Sequence, residues 1–230
     1  MDSLLAMPAA PPTLIDLSHS IRDGLITYKG LPAPLICDFL SREASKALYA
    51  EGTTFQIAKI EMVANTGTYL DTPFHRYEDG CDLSGLRLEQ LVALDAVVIR
   101  MSKPTSRAID REAFEGADLR GKAVLIHTGW SKHFGTDQYF EGHPFLTAAA
   151  AAYLKEQGAT LVGIDSFNID DIADLSRPVH STLLRAGILI VEHLTNLDRL
   201  PLCGIAFSAV PPKIAGVGTF PVRAFARLTR

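Results

Sequence analysis

Short apolar runs rich in valine and isoleucine recur along the chain, and each lies close to turn-forming residues. This pattern predicts β-strands, because β-branched side chains pack well on a pleated surface while glycine, proline and asparagine mark the turns between runs. The predicted strands cover residues 13–18, 54–63, 96–100, 123–128, 160–164, 188–192 and 204–210.

Two helices are predicted in the second half of the chain. The first begins after Thr147, a suitable N-cap, continues through AAAAAYLKEQ and ends at Gly158. The second begins near Pro178, since proline suits a first helical turn, and ends at Gly187. A strand follows each helix at once, which predicts α/β packing around a buried sheet. The first half is mostly strand and loop, so we do not expect a purely doubly wound parallel sheet.

Composition and length favour a single domain of ordinary globular type. The 230 residues contain no internal repeat or long linker, so we expect one domain over residues 13–230 after a flexible N-terminal arm, residues 1–12. The net charge of −4 gives no sign of a nucleic-acid surface. No apolar run reaches the ~18 residues that cross a bilayer. Three widely spaced cysteines predict a cytoplasmic protein without a disulfide framework.

The densest polar cluster, residues 65–75, reads NTGTYLDTPFH. Alternate side chains of an extended segment point the same way, so four residues could converge on one side of the chain: Asn65, Tyr69, Asp71 and His75. Gly67 and Pro73 supply sharp backbone geometry between them. Without further information, a polar turn in which the aspartate caps a backbone amide explains the segment as well.

A second group of polar residues lies at the carboxyl ends of predicted strands. His180 falls in the first turn of the second helix, Glu192 ends the strand that follows, and Asp165 ends the strand TLVGID. Ligands in α/β proteins bind at this edge of the sheet. Taken alone, a satisfied core histidine and a surface glutamate are an equally good interpretation of His180 and Glu192.

Together these elements resemble the family of cyclases and bacterial-type kynurenine formamidases, whose signature is H-x-G-T-H-x-D-x-P-x-H. Five signature positions match: Gly67, Thr68, Asp71, Pro73 and His75. The opening DLSH at residues 16–19, the run VLIHTGW at 124–130, GID at 163–165 and the step from His180 to Glu192 also resemble family features. The resemblance covers roughly residues 13 to 220.

This resemblance implies a single α/β domain with swivelling β/β/α layers and a mixed sheet, assembled as a homodimer or homotetramer. It implies a hydrolase that opens a formamide, cyclic amide or lactone of a small-molecule substrate, as in tryptophan catabolism, with a divalent zinc or manganese ion. Residue by residue, Asp71, His180 and Glu192 match metal ligands, and His75 matches the histidine that moves protons. Partners other than small molecules, such as nucleic acid or membrane, are not expected.

Asn65 and Tyr69 stand where the signature has histidines. An asparagine amide is a weak oxygen donor, and a phenol with a pKa near ~10 coordinates poorly. The remaining ligands, with Asn65 as a weak fourth, could hold one ion, and this oxygen-rich set favours manganese or magnesium over zinc more than the family's site does. Alternatively no metal binds, and Tyr69, His75 and Glu192 form an acid/base cluster.

The chemistry therefore has three interpretations: a metal-dependent hydrolase, a metal-free enzyme such as an isomerase or cyclase, and a small-molecule-binding protein on the same fold. Metal analysis separates the first from the others, and turnover separates either enzyme from a binder. Trp130, Phe134 and Asp165 are predicted to line the substrate pocket, although core packing explains the two aromatic residues equally well.

Overall fold

A computed structural model describes residues 13–101 and 106–228. The predicted arm, residues 1–12, lies outside the described residues. The strands are β1 Leu14–Asp16, β2 Leu35–Leu40, β3 Ile57–Glu61, β4 Tyr69–Asp71, β5 Leu94–Arg100, β6 Ala108–Ile109, β7 Ala123–His127, β8 Phe145–Leu146, β9 Leu161–Ile164, β10 Leu189–Glu192, β11 Ile205–Ser208, β12 Thr219–Pro221 and β13 Phe225–Leu228. The helices are α1 Arg42–Ser45, α2 Ala148–Glu156 and α3 Pro178–Arg185.

A nine-stranded mixed sheet organises the molecule, in the order β1-β13-β11-β5-β7-β9-β10-β4-β12. The four central strands β5, β7, β9 and β10 are parallel, and the flanking strands pair antiparallel. The parallel part comes from the half of the chain in which strands and helices alternate, as βαβ units require. The predicted α/β class with a mixed sheet is confirmed.

Both faces of the central strands are buried, which explains their continuous apolar runs. On β7, Leu125 packs into a core formed with the antiparallel strands, whereas its neighbours Val124 and Ile126 pack under α2 and α3. The two helices begin and end within a residue or two of the prediction. No helix among the described residues is long and apolar enough to cross a membrane.

The strand predicted over residues 54–63 differs from the structure. It shortens to β3 and pairs with β2 in a separate two-stranded sheet rather than joining the main one. All five residues of β3 are exposed, so its apolar pattern does not mark the core. Several short strands of the main sheet, including β4, β12 and β13, were not predicted because runs of three or four residues carry little periodicity.

Strand pairing brings distant parts of the sequence to one edge of the sheet. In the antiparallel pair of β10 and β4, Glu192 lies opposite Tyr69. On the other side of β4, Thr219 of β12 lies opposite Asp71. The signature segment is thus held between the end of β10 and the start of β12, next to the first turn of α3.

Candidate active site

β4 and the turn after it position three polar side chains of the signature segment. Tyr69 and Asp71 are alternate residues of an extended strand, so their side chains lie on the same face. Pro73 then starts a 3-10 turn that ends at His75. Gly218 packs so closely against this turn that a Cβ atom on it would lie 2.3 Å from the His75 nitrogen. A larger residue at position 218 would therefore displace His75.

His180 lies in the first turn of α3, as predicted, and Asp170 fixes its orientation. Asp170 Oδ2 accepts hydrogen bonds from the His180 backbone nitrogen at 3.0 Å and from its Nδ1 at 2.6 Å. Asp170 Oδ1 accepts from the Val179 nitrogen at 2.7 Å. One buried carboxylate therefore caps the helix and fixes the imidazole, leaving Nε2 as the free atom of the ring.

Side chains from β4, from the turn after it and from β10 lie close to this imidazole. His180 Nε2 lies 3.8 Å from Asp71 Oδ2 and 3.8 Å from Glu192 Oε1. Asp71, His75 and His180 each offer an atom, all within 4.8 Å of one another. Ligands about 2 Å from one ion lie on the order of 3–4 Å apart. The described residues therefore contain a possible Asp/His/His metal site with Glu192 beside it.

One carboxylate oxygen of Asp71 accepts a hydrogen bond, and the other has no hydrogen-bond partner in the described part of the chain. Thr219 Oγ1 donates to Asp71 Oδ1 and also contacts His75 Nδ1 at 2.8 Å. Because the hydroxyl has a single proton, which goes to the carboxylate, His75 Nδ1 must carry the proton it donates to Thr219. Neutral His75 then keeps its lone pair on Nε2. Asp71 Oδ2 is buried without a hydrogen-bond partner among the described residues.

Glu192 is fully enclosed and both of its oxygens are hydrogen-bonded. Tyr69 Oη donates to Oε2 at 2.7 Å, and the Ile169 nitrogen donates to Oε1 at 2.6 Å. Burial raises the pKa of Glu192 to about 7; the charge of His180 opposes this shift and that of Asp71 adds to it. Burial and the charges of Glu192 and Asp71 raise the pKa of Tyr69 well above its usual value. Tyr69 therefore stays a neutral donor to Glu192, with Asn65 beside it.

Three buried carboxyl groups surround a single imidazole. We call the set the acidic floor: Asp71, Asp170, Glu192 and His180. Burial alone would lower the pKa of His180, but Asp170, Asp71 and Glu192 raise it to about 10. No lysine or arginine among the described residues forms an ion pair with these carboxyl groups.

Two histidines near the acidic floor, His19 and His193, add no positive charge. Burial lowers the pKa of His19 to about 4 and that of His193, helped by the nearby His19, to about 3. Both rings are therefore neutral at neutral pH. Buried charges are stable only when they are paired. The excess negative charge and the unpartnered Asp71 Oδ2 both fit a divalent cation in front of His180 Nε2.

A cleft of about 440 Å³ opens above the acidic floor. Its wall carries Asn65, Tyr69, His75, His180 and Glu192, which were predicted, and Tyr28, Lys29, Gly30, Leu31, Arg76, Asn168 and Arg177, which were not. We call Lys29, Arg76 and Arg177 the basic rim. Pockets of this size hold small molecules. The sequence carried no signal for the rim, because its members come from three loops that only the fold brings together.

Three residues predicted for the substrate pocket lie elsewhere. Phe134 stacks on His19 with ring centroids 3.7 Å apart, and Trp130 donates from Nε1 to the Tyr139 carbonyl at 3.0 Å. Asp165 is buried and accepts hydrogen bonds from Thr128 and Gly129, which fastens the loop after β7. None of the three lines the cleft. Asp165 follows the end of β9, as predicted, whereas Trp130 and Phe134 lie in and directly after the 3-10 turn that follows β7.

Comparisons with known proteins agree with this geometry. A family model described as "Putative cyclase" matches residues 15–171. A kynurenine formamidase of Geobacillus thermodenitrificans is 33% identical over 180 residues, which cover 77% of this chain and 83% of the relative. A kynurenine formamidase of Bacillus cereus is 29% identical over 214 residues, or 93% of this chain and 96% of the relative.

Solved structures share the fold over nearly the whole chain. A structure described as a potential metal-dependent hydrolase with cyclase activity superposes with a TM-score of 0.79 at 25% identity, covering 96% of this chain and all of that one. Isatin hydrolase A from Labrenzia aggregata superposes with a TM-score of 0.81 at 24% identity, covering 95% and 94% of the two chains, and at that identity supports the fold alone. With the family model matching more than half of its length, the chain belongs to the cyclase family.

Proposed function

We propose that this protein hydrolyses a non-peptide C–N bond, in a formamide or cyclic amide, or the related lactone bond, with one divalent metal ion. The observation that carries the proposal is that Asp71 Oδ2 and Glu192 Oε1 each lie 3.8 Å from His180 Nε2, in a buried site with excess negative charge. The kynurenine formamidases among its relatives support a formamide as the first substrate to test.

The metal would be held by Asp71, His180 and Glu192, with Asn65 at most a weak further oxygen donor. When bound there, a divalent ion polarises a carbonyl and makes water a better nucleophile at neutral pH. Two carboxylate oxygens and one imidazole suit manganese as well as zinc, so we propose either of these ions. Asp170 holds the proton of His180 Nδ1, so a bound ion would take the place of the Nε2 proton that His180, with a pKa of about 10, carries without metal.

His75 is the proposed proton carrier. Its Nε2 is free when Thr219 accepts from Nδ1, and it lies 3.9 Å from Asp71 Oδ1 at the edge of the cleft. His75 takes a proton from the attacking water as the new C–O bond forms and returns it to the leaving nitrogen as the C–N bond breaks. For a formamide the products are formate and the amine. Tyr69 acts as a positioning residue, because its hydroxyl fixes Glu192.

The test combines metal analysis with turnover. Protein purified without chelator should carry about one zinc or manganese per chain and should hydrolyse N-formylkynurenine, a cyclic imide or a lactone. Dialysis against chelator should abolish turnover, and added zinc or manganese should restore it. Turnover that persists without metal would establish a metal-free enzyme, and bound metal without turnover on any of the three classes would favour a binding protein; either outcome contradicts the proposal.

We also propose that the chain forms a homo-oligomer through the two-stranded sheet of β2 and β3 and the segment that joins them. Phe39 is 77% exposed, Ile60 58% and Phe55 52%, on an arm outside the main sheet. Exposed apolar clusters of this kind mark interaction surfaces. Light scattering should give a dimer or tetramer for the wild type and a smaller species for Phe39→Asp with Ile60→Asp. A monomeric wild type would contradict the proposal.

A further inference from the structure

We propose that the basic rim is a subsite for an anionic group, and that Arg177 is its principal specificity-determining residue. The substrate would then be an amide whose non-reacting end carries a carboxylate. Calling this ligand a substrate rests on the proposed function, but the subsite itself is testable by binding alone.

The two arginines of the rim lack carboxylate partners. Among the described residues, neither Arg76 nor Arg177 forms an ion pair, although both line the cleft. The nearby Asp174 is exposed, and its Oδ1 accepts from the nitrogen and hydroxyl of Ser176 at 2.9 and 2.6 Å. Lys29 is partly neutralised by Asp137 and Glu141, at 3.8 and 4.0 Å. The guanidinium groups are thus the available positive charges of the cleft.

Both guanidinium groups are held in place by neutral acceptors. Arg177 Nη1 donates to the Asp171 carbonyl at 3.0 Å, and Arg76 Nε contacts Ser181 Oγ at 3.3 Å. Burial raises the pKa of Tyr28, and Arg177, which lines the same cleft, opposes that shift. Arg177, which is only partly exposed, therefore keeps donors for a ligand while losing little side-chain freedom on binding, whereas the exposed Arg76 is less constrained. Such preorganisation favours bidentate recognition of a carboxylate.

The backbone at Arg177 supports a role for the side chain. Arg177 adopts φ 49° and ψ 60°, a left-handed conformation that glycine adopts without steric cost. Proline at position 178 further restricts the residue before it. The backbone therefore does not require arginine here, and strained residues of this kind cluster at ligand-binding sites.

The backbone amide groups at the start of α3 are not free to bind the anion in place of the arginines. Its amide groups at Val179 and His180 already donate to Asp170. A carboxylate would also be repelled by the acidic floor unless a metal neutralised it. The opposite charges of floor and rim therefore orient the ligand, with its reacting carbonyl over the floor and its anionic end at Arg177. Asn168, whose Oδ1 accepts from the Asp170 nitrogen at 2.9 Å, keeps its amide protons for the ligand between them.

The experiment uses matched ligands and matched variants. Formanilides carrying a carboxylate are compared with the same formanilides carrying a neutral carboxamide, and the corresponding amine products are titrated calorimetrically. The variants are Arg177→Gln, Arg177→Lys and, as control, Arg185→Gln at the far end of the same helix, where the side chain pairs with Asp79. All proteins are brought to equal metal content, so that coordination of the carboxylate by metal is the same in each.

We expect the wild type and Arg185→Gln to prefer the anionic ligand by about tenfold or more, since hydrogen bonds to charged groups are among the stronger ones. Arg177→Gln should reduce this preference to less than about threefold through weaker binding of the anion alone. Arg177→Lys should recover part of it, because charge returns without the planar fork. Equal preference in the wild type, or a preference that survives in Arg177→Gln, would overturn the subsite. Anion binding that depends on Arg177 without any turnover would uphold it while contradicting the proposed hydrolysis.

Discussion

The acidic floor and the basic rim differ in charge, in burial and in how they are built. The carboxyl groups of the floor are essentially inaccessible: Asp71 and Asp170 are 0% exposed and Glu192 is 1% exposed. Each is tied to backbone amides or to hydroxyl groups of neighbouring strands. The rim arginines are partly or fully exposed, and among the described residues their guanidinium groups donate only to neutral acceptors.

This difference separates two tasks that a small hydrolytic site must perform. Buried negative charge with fixed geometry selects a cation, because the desolvated carboxylates need a positive partner. Partly exposed positive charge attracts an anion and releases it again, because water and salt screen it. His75 lies at the boundary between the two regions, where a proton has to move between water and the leaving group. Substitutions in the floor, in the rim and at His75 test whether cation binding and anion binding are separated in this way.

The largest effect on activity is expected at His75, which lies between the floor and the rim. His75→Ala should lower kcat/KM by about 10²–10⁴-fold, the usual contribution of a positioned general base. Metal content should remain that of the wild type, since the proposed ligands are Asp71, His180 and Glu192. Steady-state kinetics and elemental analysis of the same preparation measure both quantities, with His133→Ala as the control. Full activity would remove His75 from the mechanism, and lost metal would make it a ligand instead.

A smaller effect is expected within the floor. Asp170→Asn keeps the shape of the side chain but removes the charge that holds His180 Nδ1–H, so metal affinity should fall by about 10–100-fold. The measurement is competition with a chelator, and the exposed Asp198→Asn is the matched control. If Asp170 only caps α3, thermal stability will fall while metal affinity stays unchanged.

The strand and the helix that carry Glu192 and His180 of the acidic floor could be predicted from the sequence, because their signals are local. The run ending at Glu192 is rich in β-branched residues, and Pro178 marks the start of a helix, so His180 was placed correctly in its first turn. Gly67, with φ 68°, and Pro73, which starts the 3-10 turn, adopt the sharp geometry expected of them.

The partners of these residues could not be predicted, because contacts across the fold supply them. Asp170 precedes His180 by ten residues in a loop rich in acids, and only the folded chain shows which of these caps the helix. Thr219 reaches Asp71 through pairing of β12 with β4, two strands of three residues each. Arg177 carried no periodic or motif signal. Side chains that fix the orientation of the proposed ligands thus depend on tertiary packing, whereas the sequence motif pointed to the proposed ligands directly.

A further prediction concerns positions 65 and 69, where the family signature has histidines that would add nitrogen ligands to the acidic floor. Asn65→His with Tyr69→His should raise zinc affinity by at least about tenfold, because zinc gains two imidazole ligands and approaches four-coordination. Activity need not rise, since Glu192 loses the hydroxyl of Tyr69 at 2.7 Å. Competition with a chelator compares the wild type with the double variant. Tight zinc binding in the wild type that the double variant leaves unchanged would mean that Asn65 and Tyr69 never weakened the site.

The smallest effect concerns His19, a partly buried histidine that adds no charge near the floor at neutral pH. Burial lowers the pKa of His19 from 6.5 to about 4. As the pH falls from 7 to 5, the unfolded chain binds a proton at His19 that the folded chain does not. The folded state should therefore lose about 1–2 kcal/mol of stability from this residue over that interval.

Urea unfolding at pH 7 and pH 5, with chelator present, measures this loss. His19→Gln removes the titrating group from both states, so its stability should fall by about 1–2 kcal/mol less than that of the wild type between the two pH values. Every other group titrates in both proteins, so the difference isolates His19, and His133→Gln controls for the loss of an imidazole elsewhere. An identical pH dependence in wild type and His19→Gln would mean that folding does not lower the pKa of His19. His19 would then carry positive charge near the floor at pH 5, which contradicts the neutral ring described above.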